Sequence, residues 1–99
     1  MTDRSAVRLL ISGRVQGVGY RYWTVGTARG LGLEGWVRNL RDGQVEVLAL
    51  GAPDRIGELE NACHAGPPSA RVTGVMRSEA GDDGSRGFSE KPTSETAGD

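Results

Sequence analysis

Cysteine, histidine and lysine each occur once in this sequence of 99 residues, as Cys63, His64 and Lys91, and only five residues are aromatic. A lone cysteine excludes an internal disulfide and any multi-cysteine zinc site, and agrees with a reducing compartment. Cys63 falls at a core-facing helical position and is expected to be a small buried hydrophobe, with His64 beside it on the surface. Neither a Cys-His dyad nor a histidine base is therefore expected near the glycine-rich run discussed below. Charge of one sign is not in excess, with twelve basic against thirteen acidic residues. Nothing in that balance pulls the whole molecule toward nucleic acid or an anionic membrane, so any anion site must be local. There is no signal peptide, no apolar run of membrane length and no internal repeat, and the expectation is a cytoplasmic protein. Carboxylates with metal-ligand spacing are lacking too. Asp42 and Glu46 flank a hairpin and are expected to be solvated, and Asp82 and Asp83 lie in a loop, so neither a metal nor a cofactor is expected.

What is present fits one domain with one modest core. Val7, Leu9 and Ile11 alternate with Arg8, Leu10 and Ser12, the period of a strand with one buried face. From Tyr20 to Leu31, Trp23, Thr27, Ala28 and Leu31 fall at helical spacing, and Gly32 stands where a left-handed cap ends such a helix. "EGWVRNL" and "QVEVLAL" read as strands, joined by an Asp42-Gly43 hairpin turn. Pro53 opens a second helix with Ile56, Leu59 and Cys63 on its apolar face, and Gly66-Pro67-Pro68 ends it. Residues 70–77, "ARVTGVMR", read as a further strand. From Ala80 onward the chain is Gly-, Ser-, Asp-, Glu- and Thr-rich, mostly loop or disorder, with Phe88 its one large apolar residue. The order βαββαβ predicts an α+β fold, a ferredoxin-like α/β sandwich with an antiparallel sheet and both helices packed on one face. The domain is expected over residues 5–92, with 93–99 a disordered C-terminal tail.

Two places in this frame carry chemistry. Residues 13–21, "GRVQGVGYR", put three glycines between a strand end and a helix start. Such a run lets consecutive N–H groups turn inward as an anion nest, reinforced by the helix N-terminus. It does not close with Gly-Lys-Ser/Thr, nor does it have a third glycine where Tyr22 stands, so neither a Walker loop nor a dinucleotide fingerprint fits. Arg21, one turn into the helix, offers a planar fork that clamps a phosphoryl group bidentately. The alternative is a plain tight turn with Arg21 solvated, and spacing alone leaves the two balanced. Asn39 shares a strand face with Val37, where alternation suits an apolar residue; a half-buried amide there needs partners, and a held water is one. The competing use is an Asn opening the "NLRDG" turn.

"GRVQGVGYR", then "ARGLGLEGWVRNLRDGQVEVLALG" and "GPPSARV", resemble the acylphosphatase family in order and spacing over about Val7 to Met76. That resemblance implies the ferredoxin-like fold and hydrolysis of the carboxyl-phosphate bond of small acyl phosphates to carboxylate and inorganic phosphate. It puts the phosphate-binding arginine at Arg21 and the water-orienting asparagine at Asn39, and the backbone cradle at Gln16, Gly17, Val18, Gly19 and Tyr20. The expected partners are a small-molecule acyl phosphate and inorganic phosphate or a similar anion in the cradle, with no nucleic acid and no membrane, and the expected state is a monomer. Two departures stand out. Tyr20 replaces the family's usual Phe, and the closing strand, usually alternating Phe with an aliphatic residue, here reads "GFSEKPT".

Hydrolysis without a base or a metal is chemically reasonable, because phosphoryl transfer through a loose transition state needs mainly positioning and charge stabilisation. Other classes remain: a non-catalytic ferredoxin-like anion-binding or regulatory module, an RNA-binding sheet, or the related domain of larger maturation proteins that handle carbamoyl phosphate. The RNA reading lacks exposed strand aromatics and a basic surface, and the last lacks its cysteine-rich zinc modules. The roles of Arg14 and Arg38 are open at this stage.

Overall fold

The computed structural model describes residues 4–95. Strand β1 (Ser5–Arg14) buries Val7, Leu9 and Ile11 at every second position. It is an interior strand, pairing antiparallel with β3 (Val45–Gly51) on one side and β4 (Arg71–Glu79) on the other. Strand β2 (Glu34–Asn39) returns antiparallel to β3 through the Asp42-Gly43 turn, which sets Arg38 opposite Glu46 and Asn39 opposite Val45. Gln44 N donates to Asp42 Oδ1 at 2.9 Å, the local bond that makes Asp a turn residue.

Strand β5 (Phe88–Glu90) adds to the outer edge of β2 in parallel, giving the order β4-β1-β3-β2-β5. The expected purely antiparallel sheet is thus a mixed one. The reason lies in the route: the chain leaves β4 at one edge and crosses to the other through residues 80–87, the long connection that parallel pairing requires. This crossing covers the face of the sheet away from the helices. Ala80 packs on Trp36, Leu48 and Leu50, and Trp36 Nε1 donates to Asp83 Oδ2 at 3.0 Å. Past β5, Ser94 N donates to Asn39 O and Arg41 N donates to Ser94 O, each at 3.0 Å, within the segment expected as tail. Residues 96–99 of that segment lie outside the described residues.

Both helices cover the other face. Helix α1 (Tyr20–Gly30) buries Tyr20, Thr24 and Ala28, while Trp23 and Leu31 are partly buried at its margin. The buried stripe is therefore rotated from the one expected through Trp23 and Thr27. Thr24 joins it because its hydroxyl donates back to Tyr20 O at 2.8 Å, which satisfies that polar atom within the buried face. The helix ends with Gly32 N on Arg29 O and Leu33 N on Ala28 O, the paired bonds of a left-handed cap. Helix α2 (Pro53–Cys63) has Pro at its first turn and buries Ile56, Leu59 and Cys63 as their spacing predicts. His64 is exposed just beyond it.

Glu46 overturns an expectation. Instead of being solvated it is fully buried, with Oε1 2.7 Å from Arg38 Nε and Oε2 2.9 Å from Arg8 Nε. Arg8 and Arg38 reach it from the strands flanking β3, and Arg38 also lies over the Trp36 ring at 4.7 Å. A carboxylate so deep is tolerable only because it is neutralised by such partners.

Candidate active site

The run from β1 to α1 is built by two left-handed glycines, Gly17 at φ 73° and Gly19 at φ 80°. A Cβ at either would meet nothing within 4 Å, so glycine is required by the backbone turn rather than by crowding. Gly19 is also the N-cap of α1 and supplies no side-chain cap. The first backbone bond of the helix is Trp23 N to Gly19 O at 3.0 Å. Hence the N–H groups of Gly17 to Tyr22 have no acceptor among the described residues, and the helix dipole adds to their partial positive charge.

A cleft of about 140 Å³ lies against this stretch, lined by Gln16, Gly17, Gly19, Tyr20, Arg21 and Asn39, together with Val15, Tyr22 and Glu90. Residues expected from separate stretches of sequence, Arg21 and Asn39, thus face one space. Val18 does not; it lines a broader depression next to the cleft. Asn39 stands at the end of β2, and its Oδ1 is buried with no hydrogen-bond partner. Leaving a buried amide oxygen without a donor typically costs about 1–3 kcal/mol.

Several side chains fix these groups in place. Gln16 Nε2 donates to Leu40 O and to Gln44 O, both at 2.8 Å, which ties the glycine loop to the hairpin that carries Asn39. Tyr20 turns its ring into the core and donates its hydroxyl to Cys63 O at 2.8 Å, anchoring the first turn of α1 to the end of α2. Burial pushes the Tyr20 phenol well above its ordinary value, and burial likewise pushes the Cys63 thiol up to about 11. Both are therefore neutral and structural. Arg38, adjacent to Asn39 in β2, projects to the opposite face of the sheet and belongs to the Glu46 cluster, not to the cleft.

Three lining residues, Val15, Tyr22 and Glu90, were not foreseen as part of the site. Tyr22 is exposed at the mouth, with no sequence signal to single it out. Glu90 sits two residues beyond the buried Phe88 on β5, hence on the same face, and its Oε1 lies 3.7 Å from Arg21 Nη1. That separation is an ion pair too long for a hydrogen bond. The signal for Glu90 was the acid in "GFSEKPT"; what hid it was that β5 pairs with β2 beside α1, a contact between distant parts of the chain.

The acylphosphatase family model matches residues 7–90. An acylphosphatase of Trichormus variabilis is 53% identical over 85 residues, covering 86% of this chain and 84% of that one. An acylphosphatase of Bradyrhizobium diazoefficiens is 51% identical over 81 residues, 82% of each. Among solved structures, an acylphosphatase from Coxiella burnetii superposes with a TM-score of 0.86 at 35% identity, over 90% of this chain and 94% of that one. Because the match runs from the first strand into the last and takes in both sides of the cleft, the chain belongs to the acylphosphatase family, hydrolases that act on acyl phosphates.

Proposed function

We propose that the acylphosphatase reaction is carried out by Arg21, the loop N–H groups and Asn39. In this reading the guanidinium of Arg21 and the free N–H groups between Gly17 and Tyr22 hold the phosphoryl oxygens and stabilise the charge they gain in the transition state. Asn39 Oδ1 accepts a hydrogen bond from a water, turning a lone pair of the water oxygen toward phosphorus. The new P–O bond forms as the bond from phosphorus to the acyl oxygen breaks, the carboxylate leaves, and a substrate oxygen takes the proton released by the water. The observation that carries this assignment is the buried, unpartnered Oδ1 of Asn39 in the cleft that Arg21 lines.

No three His, Cys, Asp or Glu side chains among the described residues come together as a metal-binding group, so turnover is expected to be insensitive to chelator. No helix among them is long and apolar enough to cross a membrane. The test is phosphate release from acetyl phosphate by Arg21→Ala and Asn39→Ala. Each is expected to lose about 10²–10³ in rate, the usual cost of one preorganised donor or positioning group. Both variants should keep the circular dichroism of the parent. Parental turnover by either removes that residue from the mechanism.

A further inference from the structure

Arginine is used in a nearly uniform way across this molecule, and two exceptions meet at one place. Of the eleven arginines in the sequence, eight stand in ion pairs with carboxylates, and Arg29 donates to Phe88 O at 3.0 Å. Only Arg14 and Arg71 have no acceptor among the described residues. They are direct cross-strand partners at the end of the β1–β4 ladder, and both are exposed. Like charges set directly opposite on a sheet destabilise it, so folding does not explain the pair.

Their position does offer an explanation. Arg14 and Arg71 line an open depression of about 820 Å³ together with Gly17, Val18 and Pro68. Gly17 also lines the cleft of Arg21 and Asn39, so the two spaces adjoin at the glycine loop. We propose that Arg14 and Arg71 form a subsite for a second anionic group, a carboxylate or a phosphate, carried on the acyl part of the substrate. This inference rests on the reading that the phosphoryl group binds at Arg21 and the loop. With that end fixed, a short acyl chain leaving over Gly17 delivers its far end to the two guanidinium groups, where one anion relieves their mutual repulsion. The preferred substrates are then acyl phosphates with a charged acyl group.

The test compares kcat/KM for three substrates. Acetyl phosphate has an uncharged acyl group; the other two are the monoacyl phosphate of a short dicarboxylic acid and a short acyl phosphate bearing a terminal phosphate ester. Each anionic substrate is expressed as a ratio to acetyl phosphate, which cancels the attraction of the phosphoryl dianion that all three share. In the doubly substituted R14Q/R71Q the ratio for at least one anionic substrate is expected to fall about tenfold, from the loss of two exposed charge contacts. R14K/R71K should keep most of it, because charge rather than packing is recognised. Ratios unchanged for both anionic substrates overturn the proposal. Failure of the underlying reading is seen separately, as acetyl phosphate turnover that survives Arg21→Ala, and it removes this subsite with it.

Discussion

The guanidinium of Arg21 does not face the cleft alone, because Glu90 holds a carboxylate 3.7 Å from it. An incoming phosphoryl dianion therefore competes with an internal anion for the same cation. It also meets that carboxylate as a like charge across a space of about 140 Å³. Both effects weaken binding of any phosphate to the cleft, and inorganic phosphate has no acyl contacts with which to compensate. Glu90→Gln keeps the shape and removes the charge. The variant is expected to bind inorganic phosphate about three- to fivefold more tightly at low salt, the scale of an exposed ion pair. The gap should narrow as ionic strength rises. Phosphate inhibition of acetyl phosphate hydrolysis, measured for parent and variant across salt concentrations, decides it; equal or weaker inhibition of the variant contradicts the competition.

Between elements, the working geometry depends on one amide. Arg21 comes from the start of α1 and Asn39 from the end of β2, and Gln16 is the side chain that ties the loop before the helix to the hairpin after the strand. The acceptors it uses are satisfied without it, since Leu40 O also accepts from Gly43 N and Gln44 O from Leu40 N. Gln16→Ala should therefore cost only about 1 kcal/mol of stability. Its effect on rate is expected to be larger, about 10- to 100-fold in kcat/KM, because a displacement of about 1 Å between water and phosphorus is enough. Urea unfolding and acetyl phosphate kinetics on the same preparation separate the two, and a rate loss no larger than the stability loss would sink the bracing role. The elements themselves were largely legible in the sequence. Alternation at Val7, Leu9 and Ile11, the Asp42-Gly43 turn, Pro53 at a helix start and glycines ahead of Tyr20 are local signals with local causes. What escaped was non-local. Glu46 looks solvated beside a turn because its neutralising arginines lie in other strands, and Glu90 looks like part of a loop because the pairing that makes it a strand is with β2. The stripe on α1 was misplaced for the same kind of reason. Tyr20 is pinned by a carbonyl of α2, and this contact, rather than the helix's own apolar pattern, sets the rotation.

On the scale of the molecule, the core that holds α1 against α2 includes two ionisable groups kept neutral by burial, Tyr20 and Cys63. For Cys63 the folded value is about 11 against an ordinary 9.0. Below pH 9 the thiol is protonated in both folded and unfolded chains and has no effect on pH dependence. Between about 9 and 11 the unfolded chain releases its proton while the folded one retains it, so stability falls as pH rises, by about 3 kcal/mol over the interval. Tyr20 acts in the same direction, but only above its ordinary value of 10.0. The parent should therefore begin to lose stability near pH 9. Cys63→Ala, less stable at neutral pH for want of the buried sulfur, should hold its stability level until about pH 10. Urea midpoints at pH 8, 9, 10 and 11 give the two profiles. If they run parallel through the 9 to 10 interval, the thiol is not the group that titrates, and the alkaline weakness of the fold must arise at the Tyr20 hydroxyl or outside the helix interface.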